Sequence, residues 1–247
     1  MDTKIFGYGK YDLLEKRLIN FNNKVKLNNI NFLKSIENDS SANKGLNLWE
    51  VSTNMLNNII EKSTLMIELE KYGNSPITAG VNILDYKNLN HILLKRHIHM
   101  HEIQFINLTS LDVECLKIPD TFNIPGRKLT NDYIIPITAY RIGYNMHKVK
   151  EIIKNVNRDR KFVLEIGGGF GLGALILNRL INNCYIIVDI PSTAIIAAYF
   201  LIKLGLNVLL FGEYDTWSDD LLYKYDVIII PPSGIKEINK VDIVINA

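Results

Sequence analysis

From residue 162 onward, short apolar runs alternate with stretches whose apolar residues recur every three or four positions. That alternation predicts strands at 162–166, 185–189, 207–211, 226–230 and 241–246, with helices at 172–182 and 192–204. Strands that take turns with helices fold into a parallel sheet wrapped on its faces, so the expected class is α/β, with a Rossmann-like, mostly parallel sheet. The first part of the chain reads differently. Tyr11 to Phe21, Asn28 to Ile36, Leu46 to Tyr72 and Leu84 to Arg96 carry helical spacing, and a further helix is expected over 132–155. Asp39 to Gly45 and Gly73 to Pro76 are loop-like, and Ile118 to Gly126 is a long irregular connection. The polar stretch Asn157-Arg-Asp-Arg160 divides a mostly helical N-terminal cap or acceptor region, 1–157, from a Rossmann-like core, 158–247. No internal repeat is present.

Within that core, Phe162-Val-Leu-Glu-Ile-Gly-Gly-Gly-Phe-Gly-Leu-Gly173 runs an apolar strand into a glycine loop and then into the apolar helix that begins at Ala174. Gly167, Gly168, Gly169 and Gly171 let the backbone turn sharply and leave no Cβ between the main chain and a ligand lying across the strand ends. Glu165, two residues before the loop, suits a ligand with a cationic end better than a phosphate. Cys184-Tyr-Ile-Ile-Val-Asp189 then ends in a carboxylate about 20 residues beyond the loop, where an acid reaches ribose hydroxyls. Asp189 is therefore the candidate ribose clamp, although Pro191-Ser-Thr193 looks like a helix start that a strand-end Asp would cap. Ile190 is placed to cover one face of an adenine. Glu213, past the third strand, reads either as an acceptor for the adenine amino group or as a solvated loop acid.

The spacing Glu165-x-Gly167-x-Gly169-x-Gly171 is similar to the loop of class I S-adenosylmethionine-dependent methyltransferases. Taken with Ile187-Val-Asp-Ile-Pro191, Tyr225-Asp-Val-Ile-Ile-Ile-Pro231 and Val241-Asp-Ile-Val-Ile-Asn246, the region resembles the sugar O-methyltransferase family of bacterial glycan-modifying proteins. Upstream the resemblance is faint and rests on Tyr140-Arg-Ile142. It implies methyl transfer from S-adenosylmethionine to a hydroxyl of a sugar or glycan acceptor, by in-line displacement. It singles out no residue as the base. Family members continue past the last strand, so the resemblance implies a core truncated at its C-terminus, with an incomplete second half. A different class of ligand fits the same glycines. Gly169-x-Gly171-x-x-Ala174 satisfies the relaxed dinucleotide fingerprint, which keeps an NAD- or FAD-dependent oxidoreductase as an alternative, beside a non-catalytic methyltransferase remnant.

Composition narrows the class further. With 47% hydrophobic and 22% charged residues, the 247-residue chain has the balance of an ordinary globular protein. Residues 1–161 hold 23 Lys and Arg against 17 Asp and Glu, net +6, whereas 162–247 hold 5 against 9, net −4. The acidic part is the one expected to hold a cation, and the basic part has no dense cluster for nucleic acid. Cys115 and Cys184 lack metal or redox spacing, the N-terminus lacks a secretory layout, and the apolar run Thr193 to Ile202 is too short to span a bilayer. A cytoplasmic protein is expected. His97-x-His99-x-His101 has no acidic partner at ligand spacing, so no metal site is assigned. Ile230-Pro-Pro-Ser233 shares two prolines with the Asn-Pro-Pro motif of amino-methylating enzymes but lacks its Asn, and reads as a strand stop.

Overall fold

A computed structural model describes residues 8–36, 54–70, 91–120, 124 and 126–246. The first described element is a single long helix, α1 (Tyr8–Ile36). The sequence predicts two helices here, 11–21 and 28–36. Asn22 is instead buried, and its Nδ2 donates to Asn57 Oδ1 at 3.3 Å, so a polar contact carries the helix through. Helical residues 54–61 (α2) and α3 (Leu65–Glu70) fall within the predicted 46–72 helix and are separated by a turn in which Ser63 has φ 53°. Next come α4 (His91–Thr109) and a 3₁₀ turn, Val113–Leu116. The expected loops at 39–45 and 73–76 lie outside the described residues.

The region before the core is not helical throughout. Strands β1 (Ile118–Pro119), β2 (Gly126–Lys128) and β3 (Tyr133–Pro136) form a small antiparallel sheet in the order β1-β3-β2. The helix predicted from 132 therefore begins later, as α5 (Ala139–Ile153), because 133–136 pairs as a strand. Gly126 is required there, since a Cβ would lie 2.2 Å from the Ile135 carbonyl oxygen.

The larger sheet is all parallel and flanked by helices, a Rossmann-like α/β fold. Its elements in chain order are β4 (Lys161–Ile166), α6 (Leu172–Leu180), β5 (Asn183–Val188), α7 (Pro191–Lys203), β6 (Val208–Leu210), α8 (Leu221–Lys224), β7 (Val227–Ile230) and β8 (Ile243–Asn246). Strands lie in the order β6-β7-β5-β4-β8. All of β5 and β7 is buried, which is why both read as continuous apolar runs rather than alternating ones. Each fully buried Ile or Val there contributes roughly 1.5–3 kcal/mol. Helix α5 packs on α6, α4 on α5, and α1 on α7.

β7 lies between β5 and β6, although β6 precedes it in sequence. β6 is consequently an edge strand, and its outward groups are covered by side chains. Arg17 on α1 donates to the Val208 carbonyl at 2.7 Å, and Glu213 accepts from the Leu210 N–H at 2.9 Å. Arg17 and Glu213 are themselves paired at 2.6 Å and 2.9 Å. Two side chains thus occupy the place of a neighbouring strand, one of the recognised ways of blunting a sheet edge. Among the described residues no helix is long and apolar enough to cross a membrane.

Candidate functional site

Strand β4 has β5 on one side and β8 on the other, so the chain order reverses beside it. In open α/β sheets ligands lie outside the carboxyl ends of the strands at such a reversal. The glycine loop occupies that position. Gly167 N–H donates to the Val188 carbonyl at 2.9 Å, which carries the ladder one residue beyond β4. The chain then turns through Gly168 to Gly171, and Gly171 N–H closes the turn on the Gly168 carbonyl at 3.0 Å.

Two glycines show why side chains are excluded. Gly171 has φ 85° at the N-cap of α6, and a Cβ there would lie 2.7 Å from Leu201 Cδ1, so the loop is pressed onto α7. Gly169 has φ 57°, yet a Cβ built on it meets nothing within 4 Å. One side of the loop is packed and the other is open space.

Two of the three predicted acids lie at this loop, and one of them bonds it. Asp189 Oδ2 accepts from Gly169 N–H at 3.0 Å, and its Oδ1 accepts from Ile190 N–H at 2.7 Å. The second bond fixes the turn into α7, which begins at Pro191, so Asp189 shapes the local backbone as well as holding the loop. Burial pushes its carboxyl up to about 6, against the opposing effect of those two N–H groups. Glu165 lies beside Gly168. It is buried, and the Tyr185 hydroxyl donates to its Oε2 at 3.0 Å, with the Met146 sulfur 3.6 Å from that hydroxyl. Gly168 passes so close that a Cβ there would lie 2.9 Å from Glu165 Oε2. Burial raises Glu165 to about 7, Tyr185 opposes the rise, and the neighbouring Asp189 adds to it. Tyr185 is raised well above its ordinary value by burial and by Glu165, so it remains the donor in this pair.

The structure therefore brings Glu165, Gly167, Gly168, Gly169, Gly171, Asp189 and Ile190 together at one corner of the sheet. Glu213 stands apart, on the outer edge of β6 with β7 between it and β5, and its carboxylate is engaged by Arg17 and Leu210 N–H. A 300 Å³ cavity lies beside it, lined by Phe21, Lys24, Phe211 and Gly212 among others; no glycine-loop residue lines it. Sequence reasoning missed Tyr185, which sits inside an apolar strand and acquires its role only through the register Val163↔Tyr185 that puts it on the face of Glu165.

The histidine run falls on α4, where His99 is exposed and the side chain of His97 lies outside the described residues. Among the described residues no group of three or more His, Cys, Asp or Glu is placed to hold a metal ion. Comparison with protein families, curated proteins and solved structures finds no match to this chain.

Proposed function

We propose that this chain is an S-adenosylmethionine-dependent O-methyltransferase that acts on a sugar hydroxyl in glycan biosynthesis. The observation that carries the reading is one buried and one half-buried carboxylate beside an open glycine loop, at the carboxyl ends of adjacent central strands. Such a corner favours a ligand with a cationic end. It disfavours a pyrophosphate, because Asp189 already accepts the Gly169 N–H that a phosphate would need and places an acid beside it.

The residues present fit the proposed donor. Open space over Gly169 admits a ligand against the main chain. Asp189 uses one lone pair of each oxygen on backbone N–H groups and keeps others for ribose hydroxyls. Ile190 would lie against the adenine. Glu165, once ionised, would face an ammonium group, with Tyr185 holding its carboxylate in place. Glu213 would take part only by leaving Arg17. When bound, S-adenosylmethionine supplies an electrophilic methyl on a sulfonium. The chain's part is to hold donor and acceptor in line and exclude water, with residues 158–247 forming the donor side and 1–157 the acceptor side.

Calorimetric titration with S-adenosylhomocysteine, NAD and FAD tests this reading. Binding of the first alone is expected; binding of either dinucleotide with no binding of the first overturns it.

A further inference from the structure

Strand β5 places a phenol beside the carboxyl of the neighbouring strand. Glu165 pairs with Ile187, and Tyr185, two residues earlier on β5, stands on the same face and donates to Glu165 Oε2 at 3.0 Å. Two glycines make room for this one contact. A Cβ at Gly168 would lie 2.9 Å from Glu165 Oε2, and a Cβ at Gly173 would lie 3.1 Å from the Tyr185 hydroxyl and 3.5 Å from the same carboxyl oxygen. The other oxygen, Oε1, bonds no described residue yet is not sealed from solvent, and Glu165 keeps 5% exposure.

The surroundings of this carboxyl are neutral or acidic. β5 and the turn after it present Tyr185 and Asp189, α5 presents the Met146 sulfur, and β8 carries no titratable side chain. Tyr140 also lies on the buried stripe of α5, but the charges that act on it are those of Arg127 and Glu102. Arg179, the basic residue of α6, donates to the Cys115 and Lys117 carbonyls. Among the described residues no cation pairs with Glu165. A carboxyl in such a place is costly to ionise, so it keeps its proton until a positive charge arrives. Its rise to about 7 agrees. Tyr185 works the other way, because a hydrogen bond donated to the carboxylate favours the ionised form. Burial and Glu165 keep the proton on the phenol, so it stays the donor.

We propose that Tyr185 and Glu165 make recognition of the donor's amino-acid end proton-linked: the ligand's ammonium takes the place of the proton on Glu165, which passes to solvent, and Tyr185 is the positioning residue that steadies the carboxylate left behind. This rests on the reading of the preceding subsection. Calorimetric titration in buffers of different ionisation enthalpy counts the protons released on binding. The ligands are S-adenosylhomocysteine and 5′-methylthioadenosine, which lacks the amino-acid end. Both carry the ribose that would meet Asp189, so its protons cancel in the difference between them. At about pH 6 the wild type should release about one proton more with the first ligand than with the second, and Glu165→Gln should release equal numbers. At about pH 7.5 the wild-type difference should be small, and Tyr185→Phe should enlarge it, because loss of the hydroxyl leaves Glu165 protonated to higher pH. Equal release from a wild type that binds both ligands, a difference that survives in Glu165→Gln, or a Tyr185→Phe difference no larger than the wild type's at about pH 7.5 overturns the proposal and leaves the methyltransferase reading standing. A wild type that binds neither ligand takes that reading down as well. Should the phenylalanine variant fail to fold, the comparison of wild type with Glu165→Gln still decides the proton linkage.

Discussion

The two ends of the parallel sheet treat their polar groups in opposite ways. At the amino ends, charges are tied to backbone. Lys161 Nζ donates to the Val156 and Arg158 carbonyls, Arg160 donates to the Tyr225 carbonyl at 2.6 Å, and Asp226 accepts from Asn207 N–H at 2.9 Å. Asp242 accepts from Phe162 N–H at 2.8 Å and faces Arg158 at 3.3 Å. These bonds fasten the starts of β4, β6, β7 and β8. At the carboxyl ends, Gly169 faces open space, and burial raises the carboxyls of Glu165 and Asp189 to about 7 and about 6. One end is fastened by side-chain bonds to backbone, whereas the other leaves the main chain open at Gly169. Substitutions at the two ends should therefore separate folding from binding.

The largest separation is expected at the open end. Gly169→Val should lower affinity for S-adenosylhomocysteine by a hundredfold or more, about 3 kcal/mol or above. The fold should lose only about 1–2 kcal/mol, for a left-handed residue in open space. Calorimetry and denaturant unfolding of one preparation read both numbers.

Glu165 gives the next largest effect, as a function of pH. Its carboxyl is raised in the fold, so the folded state holds its proton more tightly than the unfolded chain does. Its contribution is complete below the ordinary carboxyl value of 4.5 and is lost as pH rises through about 7. The loss amounts to about 3 kcal/mol. Unfolding free energies measured from pH 4 to 8 should fall for the wild type and fall less steeply for Glu165→Gln, which retains the smaller decline due to Asp189. Equal slopes would place Glu165 in a more solvated setting than the one beneath Gly168.

At the closed end, Asp242→Ala strands the Phe162 N–H and removes the partner of Arg158. It should cost about 2 kcal/mol of stability while leaving ligand affinity unchanged. Arg17→Ala should cost less, about 1 kcal/mol, because the pair with Glu213 is partly exposed. Its readout is faster amide exchange at Leu210, whose N–H depends on Glu213 staying in place.

Much of the core was legible in the sequence. β4, β5 and β7 are apolar runs ended by Gly, Asp and Pro respectively, and the observed bounds agree with the expected ones to within two residues. The order of those strands was not legible, since β6 and β7 are equally apolar and nothing in either says which lies beside β5. That gap matters for the site: it is what carries Glu213 to an outer edge. The small sheet β1-β3-β2 escaped because strands of two to four residues are too short to show a period. The glycine loop and Asp189 were legible because their spacing is fixed by the loop they build. Tyr185 was not, because a lone Tyr matters here only through neighbours supplied by the fold.

The most direct measurement is a crystal structure of the chain with S-adenosylhomocysteine bound. The account predicts the thioether over Gly169, ribose hydroxyls on Asp189 and the adenine against Ile190. A ligand bound elsewhere, or a Gly169 face filled by the protein's own side chains, would contradict it.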